Sequence, residues 1–201
     1  ENRAENEKYE ITVTAKSDTK TYNGKEQNVT GIVTNEFTVN GQKYTVSGLT
    51  AEAKGTDAGE YTAKVTGIAV VKDTADNDVT AQFTVKTENG KLTIAKRTVT
   101  LKSADLNKKY DGTALVNGET ALETETGWAE GEGATYTFTG SQTLVGSSAN
   151  AFSYTLNDGT KADNYEIAKT EGTLTVENRA ENEKYEITVT AKSDTKTYNG
   201  K

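Results

Sequence analysis

The sequence predicts an all-β protein, and three observations carry the prediction. Apolar and polar residues alternate with period 2 in several short runs. No stretch sustains the i, i+3, i+4, i+7 apolar stripe of an amphipathic helix. Asn-Gly and Asp-Gly pairs punctuate the runs at short intervals. Turns at this spacing favour a sandwich or small barrel.

The elements follow in chain order. Residues 1–8 are polar and read as a linker. Tyr9, Ile11 and Val13 alternate with Glu10, Thr12 and Thr14, which predicts a strand with one buried face. Tyr22-Asn23-Gly24 reads as a turn of type I′, whose two central residues both need φ > 0. Phe37 to Tyr44, around Asn40-Gly41, and Phe83 to Ile94, around Asn89-Gly90, read as hairpins. Leu92 and Ile94 are even-numbered, whereas Val99 and Leu101 in the next alternating run are odd. A one-residue slip flips every side chain to the other face, so the chain twists over at Lys96-Arg97 and a domain ends there. Tyr110-Asp111-Gly112 repeats the earlier turn. Tyr136 with Phe138, and Leu174 with Val176, give two further strands, and residues 177–184 form a second polar linker.

The composition narrows the function. Leu, Ile, Val and Phe make up about 17% of the chain, below the roughly 20% at which high net charge would signal disorder. The charge is a modest −7, and abundant Thr with ten Tyr supplies residues suited to a half-buried pleated surface. The expected core is thin. Cys and His are absent, which removes disulfides, thiolate and imidazole metal sites, and the hydrolases that rely on either residue. No metal or cofactor is expected, and no catalytic residues can be assembled. The acidic balance argues against nucleic acid and anionic membranes as partners.

Residues 177–201 copy residues 1–25 letter for letter. One repeat is therefore residues 1–176, and the expectation is a segment of a tandem array. Within the repeat lie two related halves. Each opens on an alternating strand and a Tyr-(Asn/Asp)-Gly turn and closes on Leu-Thr-Ile94 or Leu-Thr-Val176. The expected division is a first β domain over 9–96 and a second over 97–178. Residues 179–201 then hold a linker and the first strand of an incomplete domain.

Lys20-Thr-Tyr-Asn-Gly-Lys25, Asp57-Ala-Gly-Glu-Tyr-Thr-Ala63, Ala162-Asp-Asn-Tyr-Glu-Ile167 and the two closing strands carry a resemblance. The chain resembles the MBG or YDG-type repeat domains of bacterial surface proteins and adhesins. The second half departs from the pattern: Ser148-Ala-Asn-Ala-Phe-Ser-Tyr154 stands where an Asp-Ala-Gly-x-Tyr run is expected. Asp57, Gly59 and Tyr61 also look like the tyrosine-corner run of immunoglobulin-like domains. The expected fold is thus two tandem immunoglobulin-like β-sandwich domains, with a β-grasp arrangement crossed by a short helix as the alternative. The resemblance implies a cell-surface, non-enzymatic role in a stalk, and the expected parent is a wall-anchored protein of a Gram-positive bacterium.

Each candidate site has a plainer structural reading. Asp73, Asp76 and Asp78 offer oxygen ligands for calcium but lack EF-hand spacing and read as a solvated turn. Lys16, Lys102 and Asn178 lie near strand ends, where an isopeptide cross-link would form, but no Asn falls inside a closing strand. Tyr22, Tyr110 and Tyr198 read as rings that cap a core with the hydroxyl at the surface. Trp128, in a Gly-rich loop, reads as a lid on one end of the sandwich, or as a ligand contact. The neighbouring repeats are the expected partners, and a host glycan or protein bound through avidity is the alternative, with homophilic adhesion a third. The chain is expected to be monomeric. Residues 185–195, an alternating strand without a domain, are expected to stay loose or to dock head-to-tail on another molecule.

Overall fold

A computed structural model describes residues 3–119 and 121–201. The fold is all-β, of the sandwich class. The helical content described is single three-residue 3-10 turns, at Glu5–Glu7, Thr80–Gln82, Ala162–Asn164 and Glu181–Glu183. None supplies the crossing helix of the β-grasp alternative.

The first half opens with β1 (Tyr9–Thr14) and β2 (Asp18–Thr21), then β3 (Gln27–Thr30) and β4 (Glu36–Val39). The long β5 (Gln42–Gly55) and β6 (Gly59–Asp73) precede β7 (Phe83–Glu88) and β8 (Gly90–Ala95). One sheet runs β2-β8-β6-β5-β3, with β4 also on β5, while β1 pairs with β7. The β4–β5 hairpin forms as predicted: Asn40 and Gly41 both have positive φ, 50° and 77°, as type I′ requires. A β-bulge divides the β5–β6 hairpin, since Ser47 faces Val70 but Leu49 faces Gly67. The two parts of the hairpin therefore turn opposite faces inward. Val46 and Val71 join a core with Ile11, Val13 and Phe83, while Ala51, Ala53, Ala63 and Val65 join a second.

The predicted hairpin at Asn89-Gly90 does not form. β1 runs parallel to β7 and β2 runs parallel to β8, so β7 and β8 follow one another in the same direction. At Asn89 the chain leaves one sheet for the other as β1–β2 does the same beside it. Gly90 is needed for closeness rather than for φ: a Cβ there would lie 2.1 Å from the Lys16 carbonyl oxygen. Asn89 Oδ1 accepts from the Val65 amide at 3.1 Å.

The second half comprises β9 (Arg97–Lys102), β10 (Leu106–Lys109), β11 (Leu115–Val116), β12 (Thr124–Thr126) and β13 (Ala134–Phe138). It continues with β14 (Ser141–Gln142), β15 (Gly146–Asn150), β16 (Phe152–Leu156), β17 (Tyr165–Thr170) and β18 (Gly172–Glu177). The same crossing recurs. β9 is parallel to β17, β10 is parallel to β18, and a Cβ on Gly172 would lie 2.3 Å from the Ala104 carbonyl oxygen. Only Lys96 separates β8 from β9. Packing does not break there, because Leu92 and Ile94 share a cluster with Val99, Leu101, Phe152 and Tyr165.

The register corrects the alignment of the halves. Tyr61 faces Leu92 and Ala63 faces Gly90, while Ser148 faces Leu174 and Asn150 faces Gly172. The counterpart of Asp57-Ala-Gly-Glu-Tyr-Thr-Ala63 is therefore Leu144-Val-Gly-Ser-Ser-Ala-Asn150, four residues earlier than the motif reading places it. Only the glycine is kept, Gly59 and Gly146.

Residues 184–201 form no strand, although their sequence is that of 8–25. Ile11 is 6% exposed, while its copy Ile187 is 86% exposed. β1 is a strand because β7 lies beside it. The second copy has no such neighbour, and alternation alone does not hold a strand.

Candidate functional site: the junction between the halves

Tyr22, Gly24, Asp57 and Ala58 meet residues of the second half across the 96/97 boundary. The Tyr22-Asn23-Gly24 and Tyr110-Asp111-Gly112 turns are not of type I′. Only the glycines have positive φ, 77° and 82°. Each Asn or Asp side chain instead accepts from the amide two residues on, Asn23 from Lys25 and Asp111 from Thr113, both at 2.9 Å. Lys108 and the Thr113 amide and hydroxyl hold the Asp111 carboxyl well below its usual range. The turn projects the tyrosine from the end of its strand.

Tyr22 is 4% exposed, and its hydroxyl is not at the surface as the core-capping reading has it. It donates to Glu132 Oε1 at 2.5 Å, while the Tyr165 hydroxyl donates to Glu132 Oε2 at 2.9 Å. One carboxylate thus joins a tyrosine from each half. The two rings stack edge to face, with centroids 5.4 Å apart. Burial, reinforced by Glu132, raises the Tyr22 pKa to about 12, and burial also raises that of Tyr165. The Tyr165 hydroxyl accepts from the Ala129 amide at 3.0 Å.

A second contact is centred on Asp57. Its Oδ1 accepts from Asn164 Nδ2 at 2.9 Å, and its Oδ2 pairs with Lys161 at 2.7 Å. Asn164, fully buried, accepts the Ala58 amide on its Oδ1 at 2.7 Å. The Tyr61 hydroxyl donates to the Asp57 carbonyl at 2.9 Å, the back-bond of a tyrosine corner. Lys161, then Asn164, lowers the Asp57 pKa. Gly59 opens the strand that carries Tyr61. Lys25 and Glu130 add an exposed ion pair at 2.9 Å, worth little by itself.

Trp128 packs edge-on against Tyr165, with centroids 4.8 Å apart, and donates to Glu125 at 3.0 Å. It is half-buried beside the junction. Asp73 accepts from the Ala75 and Asn77 amides and from Asn77 Nδ2, and Asp78 accepts from Thr80, so these carboxylates serve the turn. Lys102 pairs with Glu123 at 2.6 Å. Among the described residues, no three acidic side chains gather to hold a metal ion, and no helix is long and apolar enough to cross a membrane.

Tyr110 occupies the place of Tyr22 at the other end of the second half. The Tyr22 amide donates to Ala95 and the Tyr110 amide to Glu177, both at 2.9 Å. Tyr110 meets the linker instead of a domain. Arg179 donates to the Tyr110 carbonyl at 3.2 Å, and Lys109 pairs with Glu183. Tyr198, the third tyrosine of this type, is exposed.

Sequence reasoning found Tyr22, Asp57 and Tyr61 but missed Glu132, Lys161 and Asn164 as their partners. Asn164 and Tyr165 lie in the Ala162-Asp-Asn-Tyr-Glu-Ile167 motif, which was the available signal. Glu132 lies in a Gly-rich loop with nothing to single it out. No family model, curated protein or solved structure matches this chain.

Proposed function

We propose that the chain is a non-enzymatic spacer from the stalk of a bacterial surface adhesin, outside the cell and anchored to the wall, projecting a distal binding domain. The observation that carries this reading is the junction. Glu132 ties Tyr22 to Tyr165, and Asp57 is held by Lys161 and Asn164, with one residue between β8 and β9. A linker of one residue and a hydrogen-bonded aromatic contact support a junction that leaves the two halves little freedom to move, as a spacer requires. The exact copy of residues 1–25 at 177–201 supports a tandem array, in which each repeat adds length. β6 alone, at 15 residues, spans roughly 50 Å at about 3.3 Å per residue. Lengthening by recombination then sets the reach of the distal domain.

Small-angle scattering at several concentrations tests the reading. The expected particle is elongated and independent of concentration, with a maximum dimension near two units placed end to end. A compact particle, or one with broad flexibility, overturns it and turns attention to direct binding of glycan or protein.

A further inference from the structure

The spacer reading needs a second kind of junction, between the end of one repeat and the start of the next. Resting on that reading, we propose that the Tyr110 end of the second half is the docking face for the first half of a following copy, with the linker folded between them and Arg179 as its pin.

The linker appears twice, and each copy displays one side of this junction. In residues 3–9, Arg3 lies over the Tyr9 ring, 4.2 Å from its centroid, and donates to the Glu7 carbonyl at 3.2 Å and the Tyr9 hydroxyl at 2.7 Å. In residues 179–185, Arg179 lies 4.4 Å over Tyr185 and donates to the Glu183 carbonyl and the Tyr185 hydroxyl. The fold of the linker is therefore the same with or without a domain after it.

Its outer contacts differ between the two copies. The first faces forward: the Arg3 amide donates to Gln82 Oε1 at 3.3 Å, and Asn40 Nδ2 donates to the Tyr9 hydroxyl at 3.1 Å. The second faces backward, to Tyr110 and Lys109. A linker inside an array makes both sets at once, because its backbone turn and its arginine–tyrosine contact are the same in both copies. One guanidinium then touches the second half, the linker and the first strand of the next copy.

The apolar surface agrees. Leu144 and Val145 are 70% and 47% exposed, and Val145 lines a groove with Tyr110, Asn178, Arg179, Lys184 and Tyr185. By register these two residues hold the places of Asp57 and Ala58, which the second half covers at the first junction. The opposing position changes with them. Lys161 and Val79 each precede the 3-10 turn that leads into Tyr165 or Phe83. A charged pair, Asp57 with Lys161, thus gives way to an apolar one, Leu144 with Val79 of the following copy. Each tip then suits only its own partner, since the wrong pairing would face a carboxylate or an ammonium with an apolar side chain.

The test uses a chain of two copies, residues 1–176 followed by 1–201. The protein has no cysteine, so T155C in the first copy and K64C in the second accept one spin-label pair across the junction. Pulsed dipolar spectroscopy is expected to show a narrow distance distribution, lost in R3A of the second copy, whose Arg3 stands at the junction in the place of Arg179, and in L144D of the first copy. Unchanged circular dichroism of each variant establishes that the halves still fold. A broad distribution in the parent chain, or a narrow one surviving either substitution, overturns the proposal. Scattering on the same chain separates the two claims. An elongated particle with a broad distribution refutes the docking alone, and a compact particle refutes the spacer.

Discussion

Replacing Tyr22 with Phe removes one hydroxyl and keeps the ring, so it removes the bond from Tyr22 to Glu132 and leaves the aromatic contact. The ring contact with Tyr165 at 5.4 Å remains, and Glu132 keeps its bond from Tyr165 at 2.9 Å. Hydrogen bonds to charged groups contribute roughly 1.5–3 kcal/mol, and the near-complete burial of Tyr22 places this one in the middle of that range, about 2 kcal/mol. With a urea m value of about 2 kcal/mol/M, the midpoint should fall by about 1 M. Trp128, the only Trp, packs on Tyr165 and gives a fluorescence signal located at the junction. Glu132→Ala supplies the control. Without the carboxylate the Tyr22 hydroxyl loses its charged partner and keeps only its side-chain contact with Asn164, so Y22F in that background should cost much less than in the parent chain. A similar loss in both backgrounds refutes the argument, because the hydroxyl would then be acting through some other group. So would a loss below about 0.5 kcal/mol in the parent chain, the ordinary scale of surface substitutions.

Two further predictions follow from the same geometry. Gly90→Ala sets a Cβ 2.1 Å from the Lys16 carbonyl oxygen, a backbone clash that side-chain movement does not relieve, so thermal melting should show destabilisation of several kcal/mol or failure to fold, of the order of ~3 kcal/mol or more; an unchanged melting temperature would count against the strand crossing. Tyr22 and Tyr136 are both raised from 10.0 to about 12, so their contribution is complete below pH 10 and is lost as pH rises from 10 towards 12. Urea titrations should show stability falling across that window, with a smaller fall in Y22F; an equal fall in both would remove Tyr22 as a source.

The fold class was legible because period-2 alternation is a property of a strand's own residues, as in Ile11 and Val13 or Val99 and Leu101. The β4–β5 turn was legible for a similar reason, since Asn40-Gly41 meets a local dihedral requirement. Asn89-Gly90 looks the same in sequence, but there the glycine answers to a carbonyl more than seventy residues away in the chain. The second half was misaligned because the aromatic that marks the motif, Tyr61, is replaced by Ser148 while an unrelated Tyr154 lies nearby. The junction was half legible. Tyr22 and Asp57 stood in recognisable motifs, but their partners Glu132 and Lys161 are set by how the halves meet, which no local pattern encodes.

The parallel crossing also bears on the order in which the chain can fold as it is made. β1 pairs with β7 and β2 with β8, so the first strands to emerge are closed by the last ones of the same half. Until then they have no partner, and residues 185–201 show the same sequence without one: they form no strand, and their apolar side chains are exposed. Closing so long a loop carries an entropic cost before the contacts return anything. The first half should therefore fold late and at once, when its closing Leu-Thr-Ile94 strand arrives, whereas β9 of the second half can already pair with β12. The Thr and Glu that alternate with the apolar residues keep the waiting strand wetted, and the thin core suits a chain whose edges spend time exposed.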